Sequence, residues 1–283
     1  MIRVEPDEED RRITFFRLAR TLVGRPVYLT GAYLVGDALV DCGPPVTARE
    51  LLRALEGRRL DSLLVTHHHE DHMGAAALLI ERRGLVPRIR ASGVERLEHG
   101  FPQEAYRRLA WGRPPRVRAL ALGAEEKVGP FRFEVIPTPG HSPDHACFFE
   151  RDRGWLFTGD LFLAERLRYL RDDEDLAALI ASLEAVARLP VRRVFCAHRG
   201  PVRDGPAALR RKAERLSTLR ERVRELLAQG LPEHEITRRA VGREGFLTWF
   251  SLGRFSARNF VRSVIKQGGA APRPLEPPLA PRE

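Results

Sequence analysis

The chain of 283 residues holds only three cysteines, Cys42, Cys147 and Cys196, far apart and with no Cys-x-x-Cys pair among them. An odd, scattered set is no disulfide framework, and a reducing cytoplasm is its simplest setting. No apolar run approaches the roughly 18 to 20 residues that a membrane span needs. The opening segment, residues 1 to 12, is acidic and broken by Pro6, unlike a secretory signal. A Gly-x-Ser-x-Gly elbow is also missing, so a serine nucleophile of that kind is not expected. Lysine occurs only at Lys127, Lys212 and Lys266, which leaves arginine to carry the positive charge.

What is present supports a folded globular protein. A hydrophobic content of 43% is ordinary for a globular protein and permits a sizeable core. The net charge is +10, and +8 of it falls after Gly205, where sixteen basic residues face eight acidic ones. Such a basic extension on a nearly neutral body would attract anionic partners, RNA among them. A merely solvated face explains the same charges.

The first two hundred residues alternate short strands with helices. Residues 13–18, 27–35 and 38–40 read as strands, and 47–56 as a helix with Thr47 and Glu50 as a capping box. The apolar strand 62–65 runs into a histidine cluster. A helix over 73–83 follows, closed by Gly84. Strands are expected at 116–122, 131–136, 145–149 and 155–157, then a helix over 173–188 and a last strand at 194–197. This pattern predicts an α/β fold, a sandwich of two sheets with helices outside. Helices at 207–228, 232–240 and 256–266 follow, the last with Ser256 as N-cap. The expected division is a catalytic unit at 1–204, a small basic helical domain at 205–268, and a proline-rich disordered tail at 269–283.

The segment Thr66-His67-His68-His69-Glu70-Asp71-His72 is decisive. Residues two apart in extended chain project to one side, so His67 and His69 can chelate one ion. Asp71 and His72 then face a neighbouring position, and His68 points away. Three more strand ends each deliver one ligand type: His141 after Thr138-Pro139-Gly140, Asp160 after Phe157-Thr158-Gly159, and His198 after Phe195-Cys196-Ala197. Imidazole with carboxylate suits zinc, and iron or manganese with less selectivity. Cys42 and Cys196 read as buried apolar side chains rather than ligands, and His99 and His234 as surface residues. His145 reads equally as a proton shuttle or a hydrogen-bonded structural residue. Trp249, Phe250 and Phe255 read as core.

This set resembles the metallo-β-lactamase superfamily, with His-x-His-x-Asp-His followed by His, Asp and His deeper in the chain. The resemblance covers roughly residues 12 to 200. It implies a sandwich fold and two zinc ions. By that pattern His67, His69 and His141 would hold one metal, Asp71, His72 and His198 the other, and Asp160 would bridge them. Asp41 would orient a ligand from behind. Paired ions would yield a bridging hydroxide as nucleophile, with Asp71 able to accept or steer its proton.

Among the family's branches, true β-lactamases generally lack the bridging aspartate that Asp160 supplies, and flavodiiron proteins replace the second histidine, here His69, by glutamate. Glyoxalase II-type thioesterases share all seven ligands. Their last motif reads Gly-His followed by Glu-Tyr-Thr, whereas this chain has Ala197-His198-Arg199-Gly200-Pro201, which argues against a glutathione thioester. The run from His198 to Val202 with a basic helical extension looks closer to lactamase-β-like proteins with a winged-helix-like addition, some of them single-strand endoribonucleases. The leading expectation is a hydrolase of a small ester, thioester or lactone. An RNA phosphodiesterase comes second, and a mononuclear iron enzyme like the persulfide dioxygenases third.

Overall fold

The computed structural model describes residues 1–22 and 24–268; the segment 269–283, expected to be a disordered tail, lies outside the described residues. The first sheet runs β1 (Ile2–Pro6), β2 (Ile13–Leu22), β3 (Arg25–Val35), β4 (Ala38–Val40), β5 (Ser62–Leu64), β6 (Pro87–Ile89) and β7 (Leu120–Ala121), in that order. Its first four strands pair antiparallel and β4 to β7 pair parallel. The second sheet contains β8 (Glu125–Val128), β9 (Phe131–Pro137), β10 (Ala146–Glu150), β11 (Trp155–Phe157), β13 (Arg193–Cys196) and β14 (Gly200–Val202), in the spatial order β14-β13-β11-β10-β9-β8. Between β11 and β13 in sequence, β12 (Leu170–Arg171) pairs with the distant β15 (Phe255–Ser256).

The alternation of side chains along the strands builds three cores. Ile13 and Phe15 of β2 meet Phe133, Phe148, Phe157 and Phe195 of the second sheet in the central layer. On the other face of the same strand, Phe16 and Leu18 pack under α1 (Ala48–Ala54), α3 (Ala76–Arg83) and α4 (Ala91–His99). Cys147, Phe149, Leu156 and Cys196 face outward from the second sheet onto α6 (Leu176–Ala187), α7 (Gly205–Ala228), α8 (Glu233–Ala240) and α10 (Arg258–Lys266). The period of two thus assigns each large side chain to a layer. Burying each of these phenylalanines contributes roughly 2 to 3 kcal/mol. The result is the expected αββα sandwich with further helices after β14.

Several expectations need correction. The Thr47–Glu50 capping box does not form: Pro45–Thr47 is a 3-10 turn, and the Thr47 hydroxyl donates to the Pro44 carbonyl at 3.2 Å. The strand expected at 116–122 shrinks to Leu120–Ala121, because Val117 N–H instead bonds the Leu97 carbonyl of α4. The helix expected from 173 begins at Leu176, where the Asp175 carboxylate accepts from the N–H groups of Ala177 and Ala178. Ser256 is not the N-cap of its helix: it lies at the end of β15 and accepts from Arg258 N–H at 3.0 Å, while Ala257 holds the cap position with no side-chain cap bond. Trp249 is not core: it is 81% exposed on the short α9 (Phe246–Phe250), and Phe250 is 46% exposed. Phe255 is half-buried against Tyr106. No helix of the described residues is long and apolar enough to cross a membrane.

Candidate metal centre

The side chains singled out in the sequence converge where strands of both sheets end. Strand β5 runs into Thr66 and His67, after which α2 (Glu70–Met73) carries Asp71 and His72. Strands β9, β11 and β13 end shortly before His141, Asp160 and His198. Ala146 N–H bonds the Thr66 carbonyl and Cys42 N–H bonds the His72 carbonyl, so both sheets are tied to the histidine segment. Gly159 turns the chain into Asp160 with φ of 47°, and a Cβ there would lie 2.7 Å from His145 Nε2. Only glycine meets both conditions.

The geometry divides the ligand-type atoms into two sets. His67 Nε2 lies 2.8 Å and His141 Nε2 3.0 Å from His69 Nδ1. On the other side His72 Nε2 lies 3.7 Å and His198 Nε2 3.8 Å from Asp71 Oδ2. Asp160 stands between the sets. Its Oδ2 is 3.2 Å from His141, and its Oδ1 is 3.2 Å from His72 and 2.9 Å from His198.

Each imidazole but one is turned by a second partner so that Nε2 faces inward. His72 Nδ1–H donates to Asp41 Oδ2 at 2.8 Å, His141 Nδ1–H to Glu174 Oε1 at 2.6 Å, and His198 Nδ1–H to the Leu29 carbonyl at 2.6 Å. His67 Nδ1 faces the Thr66 hydroxyl at 3.0 Å. With the proton fixed on Nδ1, the Nε2 lone pair points into the cluster, as in carboxylate–histidine–metal arrangements. His72 Nε2 and Asp160 Oδ1 are buried and have no hydrogen-bond partner. Lone pairs and a carboxylate converge with few protons between them, so the donor set fits a pair of divalent cations.

The electrostatics agree. Burial, then the neighbouring His72 and His141, holds His67 far below the usual imidazole range. Burial, then Arg107 and Arg171, does the same to His69. Burial also disfavours charge on His72, yet Asp160, Asp41 and Asp71 outweigh it and raise its pKa well above normal. A site where three carboxylates hold a proton is one where they would also hold a cation.

The remaining histidines separate cleanly. His68 turns away from the cluster, its Nδ1 2.7 Å from Asp144 Oδ1. His145 Nε2 accepts from Asp160 N–H at 3.1 Å and its Nδ1–H faces the Thr138 hydroxyl at 2.8 Å, so both nitrogens serve to hold the Asp160 turn. That leaves it no free nitrogen for shuttling protons. The three cysteines are buried thiols, and His99 and His234 are exposed.

The family model described as "Metallo-beta-lactamase superfamily" matches residues 28–198. The chain belongs to the metallo-beta-lactamase superfamily. A hydroxyacylglutathione hydrolase of Legionella pneumophila is 30% identical over 169 residues, which is 56% of this chain and 57% of that protein. The chain therefore aligns with little more than half the length of that relative. A metallo-beta-lactamase family protein of Thermus thermophilus has the same fold, with a TM-score of 0.66 and 22% identity over 92% of this chain and 94% of that one. A solved structure described as TTHA1623 in a di-iron-bound form superposes with a TM-score of 0.54 and 29% identity, covering 68% of this chain and 96% of that one.

Beside the superfamily's cluster lies a cavity of about 300 Å³ that opens onto His69 and His141. Its walls come largely from residues that carry no recognisable motif. Arg107 of α5 (Ala105–Trp111) is buried and grips Glu70 through Nε at 2.6 Å and Nη2 at 2.9 Å. Arg171 Nη1 sits 3.1 Å from His69 Nε2. Tyr28, in the left-handed region with φ of 50°, turns its ring edge-on to His198 and Trp111. Glu174, Arg107 and Arg171 were invisible as site residues because their contacts span 33 to 102 positions.

Proposed function

We propose that this chain is a dinuclear metal-dependent hydrolase of a small ester, thioester or lactone. The observation that carries this reading is the carboxylate of Asp160, set between two groups of inward-turned ligand atoms. His67, His69 and His141 would hold one ion, Asp71, His72 and His198 the other, with Asp160 shared. Zinc is the proposed metal because its preferred donors are these, although the di-iron-bound neighbour keeps iron open. When bound, such ions supply Lewis acidity and an activated water.

The chain's own residues do the rest. Asp71 Oδ2, 3.7 Å from His72 Nε2 and 3.8 Å from His198 Nε2, is the carboxylate to which we assign acceptance of the proton that the attacking water would give up. Arg107 fixes Glu70 and with it the start of α2, where His69 is the N-cap and Asp71 follows. Asp41, Glu174 and the Leu29 carbonyl keep three imidazoles in one tautomer, so no reorganisation is needed on substrate arrival. The small cavity favours a small acyl substrate, and the named relative supports a thioester. Residues 1–204 are the proposed catalytic unit and 205–268 its helical cover, through which β15 places Arg254 at the cavity rim.

Single-stranded RNA gains no support from the geometry. Many arginines of the basic extension are already paired, as in Arg211–Glu165, Arg222–Glu225 and Arg262–Glu233. The test is metal analysis of the purified protein together with panels of acyl-glutathione, simple thioesters, lactones and single-stranded RNA. About two zinc ions per chain and metal-dependent cleavage of an ester class are expected. A single iron per chain, with oxygen consumed on adding a persulfide, would rule the proposal out.

A further inference from the structure

The cavity beside His69 has a lining whose charge is not explained by metal binding. Four arginines reach it, Arg96, Arg107, Arg171 and Arg254, against two acids, Glu104 and Asp173. Three of the four are partly engaged. Arg107 spends Nε and Nη2 on Glu70, Arg171 spends Nη2 on Asp173 at 2.6 Å, and Arg254 spends Nη1 on Asp172 at 2.6 Å. Arg96, in the last turn of α4, has no ion-pair partner among the described residues. Phe101 and Pro102 complete one wall with apolar surface.

Burying guanidinium groups is costly without anionic company. Arg107 is 5% and Arg171 6% exposed, so both charges act at short range through little water. A guanidinium presents its donors as a planar fork, which matches the oxygens of a carboxylate or phosphate better than any neutral group. The volume suits a short side arm and excludes a nucleic-acid duplex.

We propose that this cavity, centred on Arg96 and Arg107, is an anion-recognition site that takes a carboxylate or phosphate carried by the substrate beyond its scissile bond. This deepens the hydrolase reading and rests on it for the identity of the bond cleaved. The site is built by α4 and α5, which lie outside the metal motifs. An anion seated there would stand between Arg96 and Arg107, against Phe101, with its acyl group directed toward His69 and His141.

The experiment pairs two readouts on the metal-loaded protein. In the first, a thioester bearing a terminal carboxylate is compared with its uncharged methyl-ester analogue. Wild type is expected to prefer the charged substrate, and Arg96→Ala to lower that preference in kcat/KM about tenfold, mainly through KM. Loss of activity in equal proportion on both substrates would overturn the proposal. In the second readout, thermal unfolding is followed with added succinate or inorganic phosphate. One or both should raise the Tm of wild type and not that of Arg96→Ala; which one does so distinguishes carboxylate from phosphate. An anion bound to the metals alone would protect both proteins equally, and that result also overturns the proposal. If neither thioester nor the corresponding esters and lactones are cleaved but protection still requires Arg96, the hydrolase reading fails while the anion site stands.

Discussion

His72 Nδ1 lies 2.8 Å from Asp41 Oδ2, while Oδ1 of the same carboxylate accepts the Thr66 backbone N–H at 2.8 Å. Asp41 holds this position with φ of 57°, a left-handed conformation that aspartate tolerates better than most residues. One side chain thus fixes both the tautomer of His72 and the turn that launches the histidine segment. Asparagine offers a single acceptor oxygen, so Asp41→Asn must leave either Thr66 N–H or His72 Nδ1–H facing an amide NH2. Metal affinity should fall by about 10- to 100-fold, the usual effect of removing such an orienting partner. Competition against a chromophoric chelator measures it, and an unchanged affinity would show that Asp41 does not act through His72.

The legible parts of this molecule were those encoded in contiguous sequence. His67, His69, Asp71 and His72 share one turn, and Gly140 and Gly159 mark the turns before His141 and Asp160, so residue type and local geometry suffice. The strand at 13–18 was legible as a strand, while the assignment of Phe15 and Phe16 to different layers came only with the packing of the second sheet and the helices. Helices α4 and α5 were missed because both are short, nine and seven residues, and the turns that end them at Gly100 and Gly112 interrupt any period. Trp249 and Phe250 were misplaced for the opposite reason. Their hydrophobicity suggested burial, yet burial depends on a facing element and not on the side chain alone.

Asp160 touches both ligand sets and His69 only one, which separates the outcomes of removing them. Asp160→Ala should abolish turnover and reduce bound metal at both positions. His69→Ala should also abolish turnover but retain metal at the set of Asp71, His72 and His198. Circular dichroism should show both variants folded, since neither side chain belongs to the three apolar cores. Elemental analysis decides the case, and normal turnover in either variant would refute the ligand assignment.

Glu244 organises the segment that brings Arg254 to the cavity. Its two oxygens accept from the hydroxyls of Ser256 at 2.5 Å and Thr248 at 2.6 Å, and from the N–H groups of Ala257 and Arg258 at 3.0 Å. These bonds hold its carboxyl below the usual range despite burial. Glu244→Ala removes a helix cap and leaves two hydroxyls to find water. The expected loss is about 2 kcal/mol, or a fall in Tm of several degrees. Calorimetry showing no change in Tm would count against the capping role.

Lys212 gives a pH test at a buried group that is not itself one of the metal-ligand set. Its ammonium is fully buried, donating to the Leu161 carbonyl at 2.6 Å and lying over the Phe162 ring. Burial, only partly offset by Glu174 and other anions, lowers its pKa to about 8 from 10.5. The folded protein therefore sheds this proton before the unfolded chain does. Between pH 8 and 10.5 the unfolded state binds more protons, so this residue makes stability rise with pH across that window. Below pH 8 the buried charge costs roughly 3 kcal/mol, at about 1.4 kcal/mol per pKa unit, less what the hydrogen bond to Leu161 returns. Lys212→Met should accordingly be more stable than wild type at pH 7 by about 1 to 2 kcal/mol, and the advantage should shrink by pH 10. Cys147 and Cys196 feel the Lys212 charge but burial keeps both thiols raised in either protein, and the other cysteine and tyrosine titrations are common to both, so the difference between their denaturant midpoints reports chiefly on Lys212. A methionine variant less stable at pH 7, or a difference that stays constant from pH 7 to 10, would mean that the ammonium is stabilised by its surroundings rather than strained by them.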